Sequence, residues 1–300
     1  MQLLTYPEAI VVGALQGVTE LFPVSSLGHS ILLPALLGGR WARDLDVSAP
    51  ESPYLAFIVG LHVATAIALI VFFWRDWVRI VAGFAGSVRY RRIDTPDERL
   101  AWMIIVATIP VGLTGLLLEH TFRTVLGRPL PAAAFLAVNG LILFGAERLR
   151  RRTVMRETRP ATASTTLVDA DRRLATGTMT GAVAIGSAQI LALLPGISRS
   201  GTTMAAGLLR GLSHEDAARF SFLLATPVIL AAGVLKLPDL FGPLGDGIRG
   251  QVLAGSVVSG VAAYLSVRFL TRYFETRTLT PFAVYCVIAG VGSFAWLALR

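Results

Sequence analysis

Apolar residues run in stretches of about 20 along most of the chain, separated by short polar segments in which arginine recurs. Six stretches, at about 53–74, 100–118, 130–149, 219–236, 250–270 and 279–299, are continuous. At about 1.5 Å of rise per residue, each predicts a helix long enough to cross a hydrocarbon core of about 30 Å. Two further apolar regions are interrupted. Residues 7–38 contain Phe22-Pro23-Val24-Ser25-Ser26-Leu27-Gly28-His29, and residues 176–211 contain Leu194-Pro195-Gly196-Ile197-Ser198-Arg199-Ser200-Gly201-Thr202-Thr203. Backbone released from helical hydrogen bonds at membrane depth survives only where protein or water surrounds it. Each region therefore predicts two half-length helices flanking a polar break, folded as a re-entrant hairpin.

The polar segments carry a strong bias. Segment 75–99 holds six arginines, 148–173 eight and 268–277 three. The alternate segments hold few: Arg40 and Arg43, Arg123 and Arg128, Lys236 and Arg249. Under the positive-inside rule the arginine-rich segments are cytoplasmic, which places both termini outside. The Arg-, Thr- and Ala-rich stretch 151–173 reads as a cytoplasmic linker between halves at about 1–150 and 174–300.

Each half is then one broken hairpin followed by three spans, and an odd number of spans inserts the second half upside down. An offset of 173 residues aligns Gly13-Ala14-Leu15-Gln16 with Gly186-Ser187-Ala188-Gln189, and Val24-Ser25-Ser26-Leu27-Gly28 with Ile197-Ser198-Arg199-Ser200-Gly201. The similarity falls on the two breaks. Inverted repeats with discontinuous helices commonly place their site where the breaks meet, near the midplane.

Composition agrees with this architecture and narrows the chemistry. The 300 residues are 54% hydrophobic and 15% charged, against about 25% charged in ordinary soluble domains. The expected fold is therefore a single all-α integral membrane domain. The formal charge of +8 reflects topology rather than nucleic acid binding, since most arginines sit between apolar runs. One cysteine, Cys286, excludes an intrachain disulfide and a CxxC site. The first apolar segment lacks a basic n-region and contains Glu8, Gln16 and Glu20, which argues against a cleavable signal peptide.

Gln16 and Glu20, four apart, share one face of the helix entering the first break. Ser25, Ser26 and His29 follow. A carboxylate, an imidazole and two hydroxyls within an apolar hairpin point to function, because such groups are costly at membrane depth unless partnered or hydrated. Packing and capping, with Glu20 paired to His29, is the bland alternative. The second break offers Ser198, Arg199, Ser200, Thr202 and Thr203 after Pro195-Gly196, at the start of a half-helix. Free N–H groups, hydroxyls and a guanidinium there describe an anion site, with phosphate the natural occupant.

The stretch Ala14-Leu-Gln-Gly-Val-Thr-Glu-Leu-Phe-Pro-Val-Ser-Ser-Leu-Gly-His29, together with Leu194-Pro-Gly-Ile-Ser-Arg-Ser-Gly-Thr-Thr203, resembles the two signature motifs of the bacterial undecaprenyl-diphosphate phosphatase family, also called the bacitracin resistance protein family. The likeness continues through Gly211-Leu-Ser213, Ala217-Ala-Arg-Phe-Ser-Phe-Leu-Leu224 and Pro227. There are two departures: Gln16 stands where many members have glutamate, and Leu27 where threonine is common. The first weakens any mechanism that needs two carboxylates in this motif.

The resemblance implies hydrolysis of undecaprenyl diphosphate to undecaprenyl phosphate at the outer face of the bacterial cytoplasmic membrane. That reaction recycles the lipid carrier of cell-wall synthesis and is helped by a divalent cation. A hard ion such as Mg2+ or Ca2+ suits one carboxylate, hydroxyls and diphosphate oxygens. In this reading Glu20 holds the metal or orients His29, Ser26 is the nucleophile with Ser25 as the alternative, and His29 relays the proton. Arg199 neutralises the phosphoryl group, while Gln16, Ser25, Ser198, Ser200 and Thr203 bind substrate. Attack by water activated at Glu20 or His29 stays open. The partners expected are a polyprenyl diphosphate lipid and the bilayer, with a homo-oligomer left open and no nucleic acid.

A proton-coupled transporter or flippase of a polyprenyl phosphate is the rival reading, since broken helices in inverted repeats also build carriers. A carrier needs Arg199 but no aligned nucleophile. Outside the breaks, His62 within the first span reads equally as a partnered structural histidine or a site neighbour. Phe72, Phe73, Trp74 and Trp77 read as an aromatic belt, and His214, Glu215 and Asp216 as part of a helix cap.

Overall fold

The structure is a computed structural model describing residues 4–45, 53–154, 167–242 and 245–299. Among the described residues every regular element is helical. Five helices among the described residues are long and apolar enough to cross a membrane, over Pro96–Leu118, Pro129–Arg152, His214–Leu235, Arg249–Thr276 and Thr280–Ala298. They belong to α6 (Pro96–Leu126), α7 (Pro129–Val154), α11 (His214–Phe241), α12 (Arg249–Thr276) and α13 (Thr280–Ala298). The remaining expected span is α4 (Pro53–Phe72), which bends by 86° at Phe73 into α5 (Trp74–Tyr90). The protein is a multi-pass membrane protein. Its outer surface carries exposed Leu116, Leu117, Leu253, Val261 and Ile288, which water would tolerate poorly over so wide an area.

The arginine-rich segment 75–99, read from sequence as a connection, is mostly the amphipathic helix α5. Asp76, Ile80 and Ser87 face inward, while Trp74, Val78, Val81 and Val88 are exposed on the opposite side. The aromatic belt expected around it is only partly formed. Trp74 is exposed, but Phe73 is buried with the Arg219 guanidinium 5.3 Å from its ring centre. Arg219 is the centre of a buried network that fastens α5 and α11 to α8 (Leu167–Ala175). Its Nε donates to Asp171 at 2.8 Å and its Nη2 lies 3.1 Å from Asp76, while Arg79 Nη2 reaches Asp76 at 2.7 Å and Asp171 at 2.5 Å. Much of the linker expected at 151–173 lies outside the described residues, and its last part is α8. The cap expected at 213–216 forms, with the Asp216 N–H donating to Ser213 Oγ at 2.9 Å. His214 goes further and is buried 2.5 Å from Glu147 of α7.

The first interrupted region is α1 (Tyr6–Thr19), a break, and α2 (Ser26–Leu37), followed by the short α3 (Gly39–Asp44). The second is α9 (Met179–Ser187) tightening into a 3-10 turn (Ala188–Leu193), a break, and α10 (Arg199–Leu209). Packing partners are exchanged between the halves. α1 lies along α12 as α9 lies along α6, and α10 rests on α7, whereas α2 lies chiefly on α7 of its own half and only touches α13. α4 packs against α11, and α7 against α13. The crossings match at the residue level: a side chain at Gly13 would collide with the Gly255 carbonyl of α12, and one at Gly186 with the Ala107 carbonyl of α6. Two buried apolar clusters form the interior, and Phe22, beside the first break, and Phe282 of α13 pack against both. The breaks therefore sit between the two cores.

Candidate active site

Both breaks are built alike. Pro23 has no N–H to continue α1 and disfavours helical geometry at Phe22. Pro195 does the same to the 3-10 turn, and Gly196 then takes φ 109°, a value open to glycine but strained for other residues. A serine restarts the helix each time. Ser25 Oγ accepts from the Gly28 N–H at 3.2 Å, and Ser198 Oγ accepts from the Gly201 N–H at 3.1 Å. These are N-caps, which satisfy one of the free donors of a first turn. Ser25, a substrate ligand or alternative nucleophile in the sequence reading, is thus occupied as a cap, at φ 70°.

The two breaks are in contact. A Cβ on Gly28 would stand 2.9 Å from Gly196 Cα. Ser200 Oγ donates to the Phe22 carbonyl at 3.1 Å, Ser198 Oγ lies 3.5 Å from the same oxygen, and the two hydroxyls are 3.1 Å apart. Asn139 of α7 clamps both breaks at once. Its Oδ1 accepts from the Ser198 N–H at 3.0 Å, and its Nδ2 donates to the Pro23 carbonyl at 3.0 Å and to Cys286 Sγ at 3.3 Å. Thr203 Oγ1 donates to the Arg199 carbonyl at 2.7 Å. The hydroxyls of Ser198, Ser200 and Thr203, expected to bind substrate, are buried and spent on the backbone.

Glu20 is the centre of the charged cluster. Its Oε2 accepts from Ser26 Oγ at 2.5 Å and from Gln16 Nε2 at 3.1 Å. Its Oε1 accepts from Arg199 Nη2 at 3.1 Å, across the junction of the two breaks. The structure thus brings Gln16, Glu20, Ser26 and Arg199 together. Arg199 Nη1 and Gln16 Oε1 are buried with no hydrogen-bond partner among the described residues. The Arg199 side chain is 12% exposed, so the cluster lies at the edge of the interior.

His29 is not part of this cluster, contrary to the expected Ser26–His29 relay. One turn into α2, it points the other way. Its Nδ1 donates to the Ser25 carbonyl at 2.7 Å, and its Nε2 meets the Tyr285 hydroxyl at 2.6 Å, with the two rings stacked. Its expected pairing with Glu20 is absent for the same reason. The imidazole beside Glu20 is that of His62, whose Nε2 lies 3.5 Å from Glu20 Oε2 and 3.2 Å from Gln16 Nε2. Sequence reasoning missed Asn139 and left His62 undecided. Both had a signal, being lone polar residues inside apolar spans.

The described residues contain no group of three or more His, Cys, Asp or Glu side chains able to hold a metal. A hard cation at this site would have Glu20 as its one carboxylate and would need other oxygens to complete its shell. A carboxylate has about four acceptor positions; three of those on Glu20 are taken by Ser26, Gln16 and Arg199, and Gln16 Oε1 next to it is unpartnered.

Comparison with known proteins adds the family context. The profile of the family described as bacitracin resistance protein BacA matches residues 9–292. An undecaprenyl-diphosphatase of Mycolicibacterium paratuberculosis is 69% identical, with 99% of each chain covered. Undecaprenyl-diphosphatase 1 of Frankia casuarinae is 56% identical over 97% of each chain. Undecaprenyl-diphosphatase 2 of Chromobacterium violaceum is 43% identical, covering 95% of this chain and 96% of its own.

Proposed function

Since the chain belongs to the bacitracin resistance protein BacA family, we propose that its two apposed breaks form the phosphatase centre. The protein hydrolyses undecaprenyl diphosphate to undecaprenyl phosphate and inorganic phosphate. The observation that carries the assignment is Glu20, which takes the Ser26 hydroxyl from its own break and the Arg199 guanidinium from the other.

Ser26 Oγ attacks the terminal phosphorus while its proton passes to Glu20 Oε2. The bridging P–O bond breaks, and undecaprenyl phosphate leaves with its electron pair. Water then attacks the phosphoserine, its proton goes to the released phosphate, and the Glu20 proton returns to Ser26 Oγ. Arg199, held by Glu20 through Nη2, directs Nη1 to the phosphoryl oxygens. Phosphoryl transfer depends chiefly on such positioning and charge stabilisation. Glu20 and the Gln16 oxygen would hold a Mg2+ or Ca2+ ion whose other ligands are diphosphate oxygens. When bound, that ion neutralises diphosphate charge.

The exchanged packing of the halves supports an inverted repeat in which each broken pair re-enters the side it left. The arginine bias supports a bacterial cytoplasmic membrane location, with α5 lying along the inner surface and the site opening outward. An isoprenoid tail can then stay in lipid while the diphosphate meets water. The test is phosphate release from a polyprenyl diphosphate by detergent-purified protein, with and without chelator. Release that falls on chelation and is lost in Ser26→Ala is expected; full release by Ser26→Ala would assign the attack to water.

A further inference from the structure

We propose that a cavity at the α8 end of the second hairpin binds an anionic phospholipid, with the lipid phosphate on Arg210 and hydrocarbon in the cavity. The site is separate from the junction of the breaks. Arg199 opens α10 and Arg210 follows its last residue, about 16 Å further along at about 1.5 Å per residue.

The inference starts from a mismatch between the two hairpins. At the offset of 173, Thr5 corresponds to Thr178, and each caps the first helix of its hairpin. Glu8 then corresponds to Gly181. In the first hairpin Glu8 is buried, accepts from the Thr5 N–H at 2.8 Å and stands 3.8 Å from Nε of Arg40, which lies just past α2. In the second, an arginine again lies just past the second helix. A Cβ on Gly181 would stand 3.3 Å from Arg210 Nη2, so the guanidinium hangs over the position where the first hairpin has its carboxylate. Among the described residues that guanidinium has no hydrogen bond or ion pair. The second hairpin has the cation without the anion.

Beside Arg210 lies a cavity of about 490 Å³, walled by Met103 of α6, Leu174 of α8, Ile185 of α9 and Phe220 of α11. Small-molecule sites typically measure about 300–1,000 Å³. None of the described residues lining it is acidic, and Arg210 is exposed at its rim. An apolar chamber with an unpaired guanidinium at the rim fits an amphiphile with an anionic head and a hydrocarbon body. The planar donor fork of arginine matches two phosphate oxygens. Basic pockets between membrane spans recognise anionic lipid head groups in this way. Under the orientation proposed above, the lipid comes from the inner leaflet.

The test is native mass spectrometry of the detergent-purified protein titrated with dioleoylphosphatidylglycerol, dioleoylphosphatidylcholine or oleate. Wild type is expected to hold one phosphatidylglycerol at least about tenfold more tightly than either alternative. Arg210→Gln is expected to weaken that binding about tenfold. Gly181→Glu is expected to weaken it as much, because the new carboxylate supplies the missing anion from within, and its thermal-unfolding midpoint should equal or exceed that of wild type. Wild-type affinity in either variant would overturn the proposal, as would phosphatidylcholine bound as tightly as phosphatidylglycerol. Oleate bound as tightly would assign the cavity to a carboxylate amphiphile and overturn the phospholipid. Binding in detergent depends neither on the orientation of the chain nor on phosphate release, so the result stands apart from the phosphatase reading.

Discussion

Replacing Asn139 by leucine tests whether the two breaks act as one site. The substitution keeps the branched shape and heavy-atom count of the side chain but removes one acceptor and one donor from a fully buried position. The Ser198 N–H loses its partner, and the Pro23 carbonyl keeps only the distant Cys286 thiol at 3.8 Å. A buried polar group left unsatisfied costs about 1–3 kcal/mol, so two cost about 2–6 kcal/mol. Relief of that cost requires the breaks to shift apart. A displacement of about 1 Å at a reacting group can lower turnover by about 100-fold. We expect kcat for polyprenyl diphosphate hydrolysis to fall by about that factor and thermal inactivation in detergent to occur at lower temperature. Asn139→Asp keeps the acceptor for Ser198 and is expected to fall between the two. Wild-type turnover and thermal behaviour in Asn139→Leu would refute the clamp. So would a stability loss with unchanged kcat, since the clamp would then be structural only.

Arg199→Lys is expected to lose most activity despite its retained charge, because an ammonium cannot contact Glu20 and phosphate through two prongs of one plane; near-normal kcat would move the phosphate site elsewhere. Tyr285→Phe and His29→Phe, which disturb a ring pair facing away from Ser26, are each expected to lower kcat by less than tenfold, and a loss of about 1000-fold in His29→Phe would reinstate the histidine relay. Arg219→Leu should destabilise by about 3–5 kcal/mol, because it removes one partner of a buried ion network and leaves two buried carboxylates, Asp76 and Asp171, to share the single Arg79 cation; a thermal-unfolding midpoint equal to that of wild type would deny the network a structural role. Cysteines introduced at 150–165 should resist impermeant thiol reagents applied outside intact cells, and labelling there would reverse the proposed orientation.

Span positions were legible because length and apolarity alone decide them, as were the breaks, where proline and a capping serine act locally. The bend at Phe73 was not. The apolar run 53–74 and the arginines after it look alike whether the chain leaves the membrane or turns along it, and the inward face of α5 is set by contacts with distant Asp171 and Arg219. At the site, Gln16 and Glu20 follow from helical spacing, and the contact of Arg199 with Glu20 from the cost of burying two charges separately. The direction of His29 does not. Position in α2 puts it within reach of either Ser26 or Tyr285, and only the tertiary placement of α13 selects the tyrosine. The hydroxyls of Ser198, Ser200 and Thr203 advertise an anion site, but a hydroxyl donates equally well to a carbonyl, and sequence cannot say which is nearer.

The two breaks share a plan but not their chemistry. At the offset of 173, Ser26 corresponds to Arg199 and Glu20 to Leu193, while the caps Ser25 and Ser198 correspond to each other. A frame with true two-fold equivalence would present a nucleophile and a cation to each leaflet and would act on both. In the proposed centre one half contributes the attacking group and its base, and the other contributes the positive charge, so the proposed inverted repeat yields a single centre with a handedness across the bilayer. Sidedness of the reaction is then a property of how the two copies have diverged, fixed in the chain before the protein meets any lipid.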